Sequence, residues 1–185
     1  MISRSRAFVL VLSLMKASPA IAADPYAIHD RPIVSDCIQA TARNRPWLEK
    51  TLWGLYDQER GWVGAEIANS NGTFDLGLLQ INTSWLPIIA ARLRRDAGVV
   101  HRWLRDDACF NIGVGAWIFL SVYRQNHDFW RAVGAYHSPT DWRARIYIHR
   151  VADRIADRYG KQVFQRASAS GRMRAVDRRR RVPLP

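Results

Sequence analysis

The sequence predicts one α+β domain in which helices dominate. Three observations carry that expectation. Apolar residues recur at helical spacing over most of the chain, and one segment, from Gly61 to Asn82, breaks that period with glycines, asparagines and a brief alternation. The 185 residues suffice for one well-buried core with room for ends.

The elements follow in order. Ser35 is placed to cap a short helix reaching about Asn44. Pro46 opens a second, because the N–H that proline lacks has no intrahelical partner in the first turn; Leu48, Leu52, Leu55 and Tyr56 then line one face as far as Glu59. Gly61, Gly64 and the cluster from Asn69 to Gly72 mark turns, and Thr73, Phe74, Asp75 and Leu76 alternate, which predicts a small β-hairpin region. Thr83 caps a helix running to about Ala97, with Pro87 early in it and Gly98 at its end. Asp106 or Asp107 starts the longest helix, with Ile112, Ala116, Phe119 and Val122 or Tyr123 facing inward. Asp128 caps the next, which carries Trp130, Val133 and Tyr136 and ends at Pro139. The last begins at Asp141, with apolar positions Ile146, Ile148, Val151, Ile155 and Tyr159, and stops at Gly160.

Both ends differ from this body. Arg4 and Arg6, the apolar run from Ala7 to Met15 and small residues at Ala20, Ala22 and Ala23 have the layout of a secretory signal peptide, expected over 1–22. Lys16 interrupts the apolar run, which argues against a spanning anchor. The expected location is the periplasm or the exterior. The net charge of +12 is chiefly a property of the other end: residues 24–160 carry 17 Arg or Lys against 15 Asp or Glu, whereas 161–185 carry 8 against 1. The domain is therefore expected over 23–160, followed by a basic, disordered tail over 161–185 that can contact an anionic surface. Its run from Arg178 to Arg181 has no interleaved aromatics and specifies no nucleic acid. The two cysteines, Cys37 and Cys109, stand far apart with no zinc-like spacing, and in an oxidising compartment such a pair predicts a disulfide.

The chemistry starts from Glu59. It lies four residues beyond Leu55, on the face to be buried, while Lys50, Asp57 and Arg60 point elsewhere. Apolar surroundings disfavour the charged carboxylate, so its pKa rises and it can keep a proton near neutral pH. The other reading of this helix alone is a carboxylate paired with Arg60 or Arg43.

Five motifs follow one another in order: the helix carrying Glu59, the turn from Asn69 to Gly72, GLLQIN from Gly77 to Asn82, Cys109 with NIGVGAW after it, and AVGAYHS around Tyr136. Together, over about residues 35 to 160, they resemble the lysozyme-like lytic transglycosylases of bacterial cell envelopes, in particular small exported ones associated with secretion, conjugation and pilus systems. The resemblance implies a lysozyme-like fold acting on peptidoglycan glycan strands. It gives Glu59 the general acid and base role in cutting the β-1,4 bond after N-acetylmuramic acid, with a 1,6-anhydro product and no second carboxylate. The donors and acceptors of Gln80 and Asn82 match amino-sugar groups; the resemblance places Gln80 against the acetamido group or the reducing-side sugar and puts the Tyr136 hydroxyl near the catalytic carboxyl.

Two departures stand out: Arg60 where relatives carry Ser or Gly, and His137-Ser138-Pro139 in place of Asn-Ala-Gly. Glu66 and Asp75 are expected to be structural, Asp75 as a turn carboxylate accepting backbone N–H groups. The open alternatives are a hydrolytic muramidase, which would recruit one of those acids, and a noncatalytic peptidoglycan-binding module. The resemblance implies neither a metal nor an organic cofactor; partners in an envelope-spanning apparatus are an expectation.

Overall fold

The computed structural model describes residues 31–164; the expected signal peptide, and the tail from 165 onward, lie outside the described residues. The fold is a predominantly helical α+β domain with a small antiparallel sheet, as the sequence predicts. Helices α1 (Arg31–Ala42) and α2 (Pro46–Glu59) precede strands β1 (Glu66–Ala68), β2 (Phe74–Leu76) and β3 (Ile81–Asn82). A 3-10 turn (Thr83–Trp85) leads to α3 (Leu86–Leu93), α4 (Ala97–Asp106), α5 (Ala108–Asn126), α6 (Phe129–His137) and α7 (Asp141–Tyr159). The sheet has order β1-β2-β3 with Ile67 opposite Asp75 and Asp75 opposite Asn82, one strand more than the expected hairpin.

The core is built from the predicted stripes. Leu48, Leu52 and Leu55 of α2 have no exposed surface, and Ile112 and Phe119 of α5 are equally enclosed. Helix α5 packs against α1, α4 and α6, and α7 closes over α2 and α6. The Cys37–Cys109 disulfide forms as expected, with Cα atoms 4.8 Å apart, and ties α1 to the start of α5. In the chain-entropy picture such a loop closure is worth up to about 4 kcal/mol.

Three boundaries depart from the sequence reading. Helix α1 is already formed at Arg31, the first described residue, so Ser35 lies inside it rather than at its cap. The helix predicted from Thr83 to Ala97 stops at Leu93, and a further helix, absent from the sequence reading, begins at Ala97. Arg94 adopts a left-handed backbone (φ 52°) and ends α3, and Asp96 then caps α4 by accepting from the N–H groups of Gly98 and Val99. Gly98 therefore starts a helix rather than ending one. On α7 the inward stripe is Tyr147, Val151 and Ile155, while Ile146 is 45% exposed. Gly160 ends α7 as predicted, and residues 161–164 continue in packed chain, with Phe164 against Trp130 at 5.8 Å between ring centroids.

Candidate active site

Glu59 is the last residue of α2 and lines a cleft of about 610 Å³ between that helix end, the sheet and α6. Asp75, Gln80, Asn82, Trp85 and Tyr136 line the same cleft, so the structure brings Glu59, Gln80, Asn82 and Tyr136 together. Glu59 also borders a second cleft of about 310 Å³, on the side of α7. The carboxyl thus stands where two grooves meet.

Local backbone explains how α2 delivers it. Arg60 takes a left-handed conformation (φ 54°) and its N–H returns to the Tyr56 carbonyl at 3.0 Å, which ends the helix and leaves the Arg60 side chain exposed. Among the described residues no cation makes a salt bridge with Glu59, so the pairing with Arg60 or Arg43 does not form. Gly61 then passes against the next loop so closely that an added Cβ would lie 2.7 Å from the Leu78 carbonyl oxygen. Only glycine fits that approach.

The loop from Gly77 to Gln80 is fixed from behind by Asn111, a buried residue of the NIGVGAW segment. Its Oδ1 accepts from the Leu79 N–H at 2.8 Å, and its Nδ2 donates to the carbonyls of Leu76 at 2.8 Å and Leu104 at 2.7 Å. Gly77 (φ 64°) packs where a Cβ would strike the Leu104 carbonyl and the Asn111 amide. Gln80, itself left-handed at φ 48°, donates from Nε2 to the Gly77 carbonyl at 2.7 Å. Its side-chain carbonyl is left for a ligand N–H, and its second Nε2 hydrogen for a ligand acceptor. The Tyr136 hydroxyl donates to the Leu79 carbonyl at 3.1 Å; burial raises its pKa well above the ordinary value, and the charges of Glu59 and Asp75 add to the shift.

Asn82 is engaged on both sides. Its Nδ2 donates to Thr73 Oγ1 and Asp75 Oδ1, each at 2.8 Å, and its Oδ1 accepts from the Ser84 N–H at 3.0 Å, capping the 3-10 turn. Asp75 accordingly sits mid-strand and accepts from a side-chain amide, not from the backbone donors of a turn as expected. Glu66 faces away, in contact with His101 at 3.2 Å and Arg105 at 3.1 Å.

The electrostatics centre on Glu59. Burial pushes its pKa from 4.5 to about 7; the hydrogen bond from Tyr147 opposes the rise and the charge of Asp75 adds to it. The Tyr147 hydroxyl donates directly to Glu59 Oε1, and its ring is stacked on His137 with centroids 4.6 Å apart and planes 3° from parallel. Tyr147 is absent from the inward positions read off the sequence, although Tyr147, Val151 and Ile155 at four-residue steps carried the signal. A carboxyl half-protonated near neutrality can give a proton to a bound group and take one back.

The transglycosylase SLT domain model matches residues 36–144, more than half of the chain. The chain belongs to the transglycosylase SLT domain family. Within this SLT domain the match spans α2, the sheet and Tyr136, so it includes the wall of the larger cleft, while Tyr147 lies just beyond it. Curated relatives named invasion protein IagB, from Salmonella typhimurium and Salmonella typhi, are 32% identical to the SLT chain over 111 residues. That alignment covers 60% of this chain and 66% of the relatives, just under two thirds of their length.

Proposed function

We propose that this protein is a peptidoglycan lytic transglycosylase acting in the periplasm or outside the cell, with Glu59 as its general acid and base. The observation that carries the reading is the Glu59 carboxyl, raised to about 7 by burial at the junction of two clefts. Protonated Glu59 donates to the glycosidic oxygen as the bond from that oxygen to C1 of N-acetylmuramic acid breaks. The resulting carboxylate takes the proton of the C6 hydroxyl while O6 bonds to C1. The product is a 1,6-anhydromuramyl end and a free N-acetylglucosamine hydroxyl, with no water consumed.

Gln80 and Asn82 contact the amino sugars in this reading, Asn82 through the second lone pair of its Oδ1, since both its Nδ2 hydrogens are engaged, and Tyr136, tied to the Leu79 carbonyl, holds the loop that presents Gln80. The tyrosine that steers the carboxyl is Tyr147. Digestion of sacculi tests the reading. The wild type releases anhydromuropeptides and Glu59→Gln releases none; wall binding without release by the wild type identifies a noncatalytic module instead.

A second reading, hydrolysis, is favoured by Asp75, an acid in the same cleft whose charge reaches Glu59. It predicts reducing muramyl ends and their loss in Asp75→Asn. Local wall opening for a secretion, conjugation or pilus apparatus fits a family member related to proteins named for invasion.

A further inference from the structure

We propose that the smaller cleft, on the α7 side of Glu59, binds the carboxylates of the peptide stem that branches from the muramyl residue. This rests on the reading of Glu59 as an acid acting on muramyl glycan. Arg143 and Arg150, seven residues apart on one face of α7, both line the cleft, and among the described residues neither has a carboxylate partner in a salt bridge. Glu59 is the sole acid among the lining residues and is largely neutral below about pH 7. Both guanidiniums reach His137 at the rim: burial lowers its pKa, the charge of Asp75 opposes that shift, and Arg143 and Arg150 add to it. Two guanidiniums without a carboxylate partner, that of Arg143 lying over the Trp142 ring at 5.2 Å, stand beside a neutral acid and select an anion, and their forked donors suit carboxylates.

The remaining walls narrow the class of anion. Trp142 is 55% exposed and Ile146 45% exposed, so the cleft offers apolar surface next to its charges. A sugar ring can stack its C–H face on Trp142, but a bare glycan strand brings no alkyl side chain for Ile146. A short acidic peptide carries both carboxylates and alkyl side chains. The volumes agree with a branch point: about 310 Å³ here against about 610 Å³ on the sheet side. When a stem is attached, the lactyl carboxyl of muramic acid is consumed in an amide, which leaves the stem's own carboxylates as the anions nearest the scissile bond. Ile146 and Arg150 lie beyond the family match at 36–144, so that match assigns them nothing.

The test uses the full chain carrying Glu59→Gln, so that ligand survives, and titration calorimetry with two soluble muramyl disaccharides. One bears a stem peptide with free carboxylates, the other the same stem with its carboxylates converted to primary amides. The free-acid ligand is expected to bind about tenfold more tightly, and Arg150→Glu to erase the difference. Arg150→Gln narrows it in the same sense and covers any failure of the charge reversal to fold. Equal affinities, or no measurable binding of either ligand, overturn the proposal. Wild-type digestion of sacculi is run in parallel: anhydromuropeptide release with equal affinities defeats the stem site alone, whereas absence of release defeats the transglycosylase reading.

Discussion

The Tyr147 hydroxyl donates to Glu59 Oε1 across 88 residues of sequence, joining the last helix to the end of the second. Two effects oppose each other at that contact. The hydrogen bond favours the ionised carboxylate, burial favours the neutral acid, and burial prevails.

Activity should therefore fall as pH rises through about 7, because the reaction begins with the protonated form of Glu59. A profile of kcat/KM against pH on soluble glycan checks this, with the basic limb near 7; a limb near the ordinary carboxylate value of 4.5 contradicts it.

Stability carries the same signature with a definite sign. The folded pKa of about 7 lies above the unfolded value of 4.5, so the folded state holds the proton more tightly and unfolding between those values releases it. The wild type loses stability as pH rises through that window, by up to about 3 kcal/mol, and is flat above it. Glu59→Gln lacks the loss. Urea midpoints of the two proteins should diverge in favour of the variant from about pH 4 to about pH 8.

Tyr147→Phe removes the bond that favours the carboxylate. The Glu59 pKa should rise further and the basic limb shift upward, while a carboxyl no longer held in place lowers kcat by as much as about a hundredfold. An unchanged limb with a simple loss of stability would make Tyr147 a packing residue only.

Asn111→Ala should be costly. It leaves the Leu79 N–H and the Leu76 and Leu104 carbonyls without their buried partner, for a loss of about 3 kcal/mol, and loosens the loop that carries Gln80. Chemical denaturation gives the first number and sacculus digestion the second.

Much of this was legible in the sequence because it depends on local rules. Leu48, Leu52 and Leu55 fix the buried face of α2, and counting from Leu55 puts Glu59 at its edge. The cleft wall was legible as a motif, GLLQIN with NIGVGAW, but the physical tie between the two segments, Asn111 bonded to the Leu79 N–H, spans 32 residues and has no local signature. Tyr147 was missed because Ile146, the more apolar neighbour, took its place at the start of the stripe, whereas Val151 and Ile155 were placed inward as found. The early end of α3 was missed because Arg94 ends it without glycine, and α4 was missed because Gly98, near its start, reads as a stop signal. Arg143 and Arg150 carry no local signal of a site; only α7 set beside Glu59 brings them to the smaller cleft.

The most direct test of Glu59 as a single group serving first as acid and then as base is mass spectrometry of sacculi digested in water enriched in heavy oxygen. The account predicts muramyl ends one water lighter than reducing ends and free of the heavy isotope. Reducing ends that carry it would show that water attacked the sugar, and would contradict the account.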